Sequence, residues 1–147
     1  VEENAFDVLT QEGKGKNIAI VGHFPWVPKL RNIARKLWVV EQKPQAGDLP
    51  AEAVEEILPQ ADVVGITGTS FINHTAEKLL GLSKNSFVVM IGPTTPLSPV
   101  LFAHGVDVIA GVKVVEPEEV INYIKEGAIF SQIKGLKLVT MRKNNTK

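Results

Sequence analysis

The sequence has 147 residues, of which 44% are apolar, and it carries 16 basic and 16 acidic residues but no cysteine. Its length suits one domain with a sizeable core. The formal net charge of zero argues against a nucleic-acid surface or a polybasic membrane patch, since both need a basic excess. The lack of cysteine excludes disulfides, thiolate metal sites and cysteine nucleophiles. No apolar run approaches the ~20 residues of a membrane span, so we expect a cytoplasmic protein.

Six apolar runs predict β-strands at 18–22, 37–41, 63–67, 87–92, 106–111 and 136–141. They are near-continuous rather than alternating, as in strands buried on both faces of a parallel sheet. Helical patterns accompany them at 4–11, 27–36, 51–58, 74–82, 99–104 and 117–126. This alternation predicts one Rossmann-like α/β domain over 1–147, a three-layer, doubly wound, mostly parallel sheet of about six strands. We expect 142–147 to be a frayed tail.

In such sheets ligands bind beyond the carboxyl ends of the strands, so the segments that follow the strands are the candidate site. The first of them, VGHFPWVPKL at 21–30, lacks the GxGxxG dinucleotide fingerprint: only Gly22 remains, and Pro25 and Pro28 stiffen the turn. Glu41 ends the second strand about 20 residues further on, where an acid can accept hydrogen bonds from a ribose. An ordinary solvated glutamate is the alternative interpretation.

Two side chains are candidates for proton transfer. Of the three histidines, only His23 lies in a strand-end loop, where it could act in acid–base chemistry or ligate a metal. Asp48 could be a catalytic acid or a metal ligand, or it could be the N-cap of the helix that follows Pro50.

Two further loops follow strands. TGTSFIN at 67–73 offers three hydroxyls and Gly68, which favours either a binding loop or simple turn chemistry. GPTTPLSP at 92–99 contains three prolines, which have no N–H to give a phosphate, and no GK[ST] follows. We expect this loop to hold two threonine hydroxyls and an apolar wall against a planar or neutral ligand. A rigid turn that places the next helix is the alternative.

Three strings resemble the "putative heavy-metal chelation" family of prokaryotes, formerly a domain of unknown function: VGHFP, EQKPQAGDLPAEAVEEILPQADVVGITGTSFINHTAEKLL and IGPTTPLSPVLFAHGVDVIAGVKVVEPEEVINYIKEG. The resemblance covers roughly 17–130, and the combined order of GHFP, GDxP, LPxAD, TGT and GPxTPxxP is highly specific. It implies a Rossmann-like domain, close in shape to methyltransferase-type folds, which usually follows a smaller domain similar to the enolase N-terminal domain. We expect that smaller domain to be absent and 1–15 to be an interdomain helix or linker.

The resemblance also implies the residues of the site. They are Gly22, His23, Phe24, Pro25, Glu41, Asp48, Thr67, Gly68, Thr69, Asn73, Gly92, Pro93, Thr94 and Thr95. We assign catalysis to His23 and Asp48 and ligand binding to the others, while the cofactor and any metal stay open. The family name suggests work on chelating small molecules such as siderophore-, pterin- or flavin-like compounds.

Four functions therefore compete. The first is an enzyme, or the cofactor-binding half of one, acting on a chelator-, pterin- or flavin-like metabolite. The second is a metal-binding module using His23, Asp48 and Glu41, whose ligand atoms suit zinc or nickel more than copper(I). The third is a nucleotide- or S-adenosylmethionine-binding domain, and the fourth is a structural unit that only oligomerises. The expected partner is a small molecule, not nucleic acid or membrane, and a second copy of the chain or a separate enolase-like half could complete the site.

Overall fold

The computed structural model describes residues 4–71, 74–93, 95–127 and 134–143. Its strands are β1 (Asn17–Val21), β2 (Lys36–Glu41), β3 (Leu49–Pro50), β4 (Val63–Thr67), β5 (Phe87–Ile91), β6 (Val108–Val114) and β7 (Leu136–Arg142). They form one sheet in the order β3-β2-β1-β4-β5-β6-β7. All neighbours are parallel except β6 and β7, which are antiparallel. The predicted doubly wound, mostly parallel α/β sheet is confirmed, and its strand order reverses between β1 and β4.

The sheet has one strand more than predicted and a longer β6. β3 is two residues long, too short to show any periodicity, and it exists only through its pairing with β2. β6 runs three residues past its predicted end at 111, because β7 pairs with it as far as Val114↔Leu136. Arg142 is paired with Val108 as the last residue of β7, although it was assigned to the tail. The N–H of Lys143, also assigned to the tail, donates to the Asp107 carbonyl at 2.8 Å, and residues 144–147 lie outside the described residues.

The α-helices are α1 (Ala5–Gly13), α2 (Val54–Ile57), α3 (Ala76–Leu82), α4 (Val100–Ala103) and α5 (Pro117–Lys125). Short 3₁₀ helices lie at Val27–Asn32, Ala51–Ala53, Leu58–Gln60 and Gly68–Phe71. No helix in the described part of the chain is both long and apolar enough to cross a membrane.

The predicted α-helix at 27–36 is wrong. A 3₁₀ helix takes its place and ends at Asn32. Pro28 lies at its start and has no N–H, and the Leu30 carbonyl accepts from the N–H groups of both Ile33 and Ala34, which closes the turn. The chain must then reach Lys36 in an extended form, because β2 pairs with β1 from that residue onward.

Alternating side chains of the strands enter two separate apolar layers, one on each face of the sheet. Val89 and Ile91 of β5 join the layer that contains α1, and Val88 and Met90 join the layer that contains α2, α3 and α4. Leu9 of α1 is fully buried, so the segment expected to be a linker contributes a helix to the domain core. This arrangement confirms the three-layer architecture and brings the carboxyl ends of β1, β2, β4 and β5 together along one edge of the sheet.

Candidate functional site

His23 and Asp48, predicted separately as proton-transfer groups, are in direct contact. The Nε2 atom of His23 lies 3.0 Å from the Oδ2 atom of Asp48. The Asp48 side chain is only 5% exposed, whereas the imidazole is 34% exposed. The same oxygen also accepts from the Gln45 N–H at 3.0 Å, so two contacts fix the carboxylate. Asp48 does not cap a helix: the helix after it begins beyond Pro50 without a side-chain cap.

The imidazole of His23 borders a cavity of about 420 Å³ at the carboxyl ends of β1, β2 and β4, which we call the dyad cavity. It lies where the strand order reverses, the usual ligand position in sheets of this kind. Its lining includes the polar and charged residues His23, Glu41, Glu52, Thr67, Thr69, Ser70 and Lys78.

The hydroxyls of the loop after β4 line one side of the dyad cavity. The Oγ1 atoms of Thr67 and Thr69 lie 3.1 Å apart, so one donates to the other. Ser70 is 1% exposed, and its Oγ atom has no hydrogen-bond partner among the described residues. A buried hydroxyl without a partner is uncommon, because its desolvation is not compensated. Within the described ranges, the loop therefore keeps a buried hydroxyl whose hydrogen-bonding capacity is unused.

The charged side chains of the dyad cavity are mostly acidic. Glu41 ends β2, and its Oε1 atom accepts from the Gln42 N–H at 2.8 Å. Neither Glu41 nor Glu52 has a salt-bridge partner within the described ranges. The Nζ atom of Lys78 lies 2.8 Å from Oε1 of Glu55, and this hydrogen bond lowers the pKa of the Glu55 carboxyl.

Gly22 shapes the wall between β1 and β4. Its φ is +118°, in a region that L side chains rarely adopt, and its N–H donates to the Val40 carbonyl at 2.9 Å. A Cβ atom at this position would lie 3.0 Å from Cβ of Thr67. A side chain at Gly22 would therefore displace a threonine that lines the dyad cavity.

A second cavity of about 510 Å³ lies on the α1 face, and we call it the aromatic cavity. The rings of Phe24 and Trp26 are stacked there with centroids 5.1 Å apart, and Phe6 packs against Trp26 at 5.9 Å. The Phe24 ring lines the aromatic cavity and lies near Gly22, which lines the dyad cavity.

The predicted site residues are thus divided rather than gathered around one ligand. Gly22, His23, Glu41, Thr67 and Thr69 line the dyad cavity, and Phe24, Pro25, Gly92 and Pro93 line the aromatic cavity. Gly68 and Thr95 are buried and border neither cavity, and the Thr95 Oγ1 atom has no partner among the described residues. Asn73 and Thr94 lie outside the described residues.

Sequence reasoning did not assign three of the lining residues: Glu52, Ser70 and Lys78. Ser70 was counted among the loop hydroxyls, but nothing in its type or spacing distinguishes it from a turn serine. Glu52 and Lys78 follow β3 and β4 on short helices, and charged side chains on helices usually lie on a solvated face.

Three-ligand metal coordination finds no support in the described part of the chain. No group of three or more histidine, aspartate or glutamate side chains there is close enough to hold an ion together. Glu41 does not join His23 and Asp48 in such a group.

Comparisons with known proteins agree on one family. The model of DUF364, "Putative heavy-metal chelation", matches residues 4–143. An uncharacterized protein of Methanocaldococcus jannaschii is 28% identical over 140 residues, which are 90% of this chain and 54% of that protein. A crystal structure of a DUF364 protein of unknown function from Desulfitobacterium hafniense DCB-2 is 36% identical with a TM-score of 0.85, covering 92% of this chain and 56% of the other.

A second DUF364 crystal structure, from Pyrococcus horikoshii, has a TM-score of 0.81 at 23% identity and covers 91% of this chain and 56% of the other. At that identity the likeness shows the fold alone. The chain spans about half the length of the relatives that it matches.

Proposed function

Because the chain belongs to the DUF364 family, we propose that it binds a small chelator-, pterin- or flavin-like metabolite in the dyad cavity and that His23 exchanges a proton with this ligand. The contact between His23 and Asp48 carries the proposal. It places a partly exposed imidazole on a buried, fixed carboxylate beside a cavity at the reversal of the strand order. The relatives are about twice as long as this chain. The proposed activity therefore rests on the geometry of this domain and is not taken from those relatives.

The hydrogen bond between the two side chains determines which nitrogen can react. In the neutral imidazole, Nε2–H donates to the Asp48 carboxylate, and the lone pair lies on Nδ1. Nδ1 can then accept a proton from a hydroxyl or ring N–H of the ligand. The carboxylate stabilises the imidazolium that forms, as the aspartate does in a serine hydrolase triad. Asp48 does not border the cavity, so it is a positioning residue for His23.

The lining supports an organic ligand more than a bare metal ion. The hydroxyls of Thr67, Thr69 and Ser70 can both donate and accept, which suits a heterocycle with ring nitrogens and carbonyl groups. Val40 and Leu79 add apolar surface to the same cavity. A metal would arrive as the cargo of a chelator, through the donor atoms of that chelator.

The test is a ligand panel of pterins, flavins, and catechol- and hydroxamate-type chelators, followed by amide NMR of the wild-type chain. A ligand at ~100 times its dissociation constant also raises stability by about 2.7 kcal/mol, which a melting experiment detects. We expect binding to shift the amide signals of Gly22 and Thr69. Panel ligands that shift only signals around the aromatic cavity would contradict the proposal, as would the absence of any ligand-induced shift.

The role of His23 is tested by the absorbance spectrum of a bound panel ligand, because pterins, flavins and catechols absorb differently once they are deprotonated. We expect the ligand bound to the wild-type protein to show the spectrum of its deprotonated form, and this spectral change to be lost in His23→Gln. His104→Gln is the matched control, because His104 is exposed at the end of α4, outside the dyad cavity. Asp48→Asn should reduce the proton exchange while retaining binding. Unchanged proton exchange in His23→Gln would remove this residue from the mechanism.

A further inference from the structure

We infer that the ligand of the dyad cavity is a nitrogen heterocycle that carries an unphosphorylated vicinal diol, and that Glu41 binds the diol. The inference rests on the proposed function, because it specifies the ligand class of the same cavity. The two can fail separately, since a heterocycle without a diol would satisfy the proposed function alone.

The position and bonding of Glu41 support diol recognition. Glu41 is the last residue of β2, which pairs directly with β1 through Val40 and Val21. A carboxylate at this position of a doubly wound sheet is placed to accept hydrogen bonds from the hydroxyls of a sugar. Oε1 is held by the Gln42 N–H, and Oε2 has no partner among the described residues. The free oxygen of a fixed carboxylate can accept from the hydroxyls of one diol.

The segment that follows β1 is poorly suited to binding a phosphate. Phosphates in sheets of this kind sit on the N-terminus of the helix that follows β1. Here β1 is followed by the 3₁₀ helix Val27–Asn32, which has Trp26 at its N-cap position and Pro28 in its first turn. The Gly22 N–H, which could otherwise face an anion, donates to the Val40 carbonyl. The Gly22 and Val27 N–H groups are therefore occupied at this position, and Pro25 and Pro28 have no N–H to offer.

The charged side chains that line the dyad cavity also disfavour a phosphate. Glu41 and Glu52 have no cationic partner within the described ranges, and the ammonium of Lys78 is paired with Glu55. His23 is already bonded to Asp48. A phosphate would approach two uncompensated carboxylates, whereas a neutral diol would donate to them.

Ser70 provides an independent indication of the heterocycle. Its hydroxyl is buried, unpartnered among the described residues and part of the cavity lining. It lies with Thr69 just beyond the end of β4 at Thr67, whereas Glu41 lies at the end of β2, and β1 separates the two strands. A ligand that spans the cavity would place its diol at the β2 side and its ring nitrogens or carbonyls at the hydroxyl side.

The experiment uses three matched sets of ligands in calorimetric titrations of the wild-type chain. Each set contains a diol compound, a partner without the diol and a phosphorylated partner where one exists: riboflavin with lumiflavin and flavin mononucleotide, neopterin with 6-methylpterin, and adenosine with 2′-deoxyadenosine and adenosine monophosphate. We expect at least one diol compound to bind roughly 10–100-fold more tightly than its diol-free partner, as for a hydrogen bond to a charged group. Its phosphorylated form should bind more weakly.

Variants assign the preference to the carboxylate. Glu41→Gln should reduce the preference for the diol to a few-fold or less, and Glu41→Asp should retain part of it. Glu77→Gln is the control, since Glu77 is an exposed residue of α3 that does not line the dyad cavity. Unfolding curves of all variants verify that each is folded, and the ligand sets measured on the wild-type protein decide the question even if one variant is not.

The outcomes separate the two proposals. If a diol-free heterocycle or a chelator binds at the dyad cavity as tightly as its diol partner, the diol inference is wrong and the proposed function stands. If a phosphorylated partner binds more tightly, the exclusion of phosphate is wrong. If no member of either panel binds at the dyad cavity, both proposals fail together.

Discussion

Gly22→Ala tests whether the wall between β1 and β4 is as tight as the structure shows. The new Cβ atom would lie 3.0 Å from Cβ and 3.2 Å from Cγ2 of Thr67. Two costs are expected: about 1–3 kcal/mol for placing a non-glycine residue at this φ, and about 1–3 kcal/mol for overpacking against a threonine that belongs to the sheet. Gly92→Ala separates the two costs, because Gly92 has a φ of +115° but, among the described residues, a Cβ there would meet only Cε1 of Phe24, at an ordinary 3.9 Å.

Urea unfolding followed by circular dichroism measures both variants. Gly92→Ala should lower the free energy of unfolding by the conformational cost alone. Gly22→Ala should lower it by about 1–3 kcal/mol more, and each kcal/mol corresponds to about 2–4 °C in Tm. Because Thr67 lines the dyad cavity, Gly22→Ala should also weaken ligand binding there. Equal destabilisation of the two variants would refute the reasoning, since it would mean that Thr67 moves aside at no cost.

Two further predictions concern single side chains. Ser70→Ala should leave the free energy of unfolding unchanged or raise it by about 1 kcal/mol, because the hydroxyl has no described partner in the free protein. The same variant should weaken ligand binding. The control Ser83→Ala removes a 2.8 Å hydrogen bond to the Leu79 carbonyl, so it should lower the free energy of unfolding by about 0.5–1.5 kcal/mol. A clear loss of stability in Ser70→Ala would show that its hydroxyl is already satisfied. The hydrogen bond with Glu116 raises the pKa of Glu119 above its ordinary 4.5, so the folded state holds this proton more tightly and stability should decline as pH rises through the range just above 4.5. Unfolding curves from pH 4 to 7 should show a shallower decline in Glu119→Gln, and an unchanged slope would assign the decline to other groups.

Strands β1, β4 and β5 were predictable because they are buried on both faces, which leaves a continuous apolar run in the sequence. The ends of the elements were less predictable because tertiary pairing sets them. β6 continues to Val114 only because β7 returns antiparallel beside it, and β3 exists only because two residues meet the edge of β2. At 27–36 the apolar spacing favoured an α-helix, but Pro28 and the early start of β2 left room only for a 3₁₀ turn.

Much of the candidate site was predictable as a set of strand-end residues, but its division into two cavities was not. His23 and Asp48 are 25 positions apart, and their contact depends on how the loop after β2 folds back over the loop after β1. Thr95 was predicted at the site from the two threonine hydroxyls of the loop at 92–99 and from the family resemblance. In the structure this residue is 4% exposed and borders neither cavity.

The stack of Phe24 on Trp26 gives the molecule a natural optical reporter. The chain has two tryptophans, and the other, Trp38, belongs to β2. In Trp38→Phe the remaining indole would be Trp26, which is stacked on Phe24 and lines the aromatic cavity. Its emission would then respond to events in the aromatic cavity, so occupancy of that cavity could be followed by intrinsic fluorescence without any attached dye.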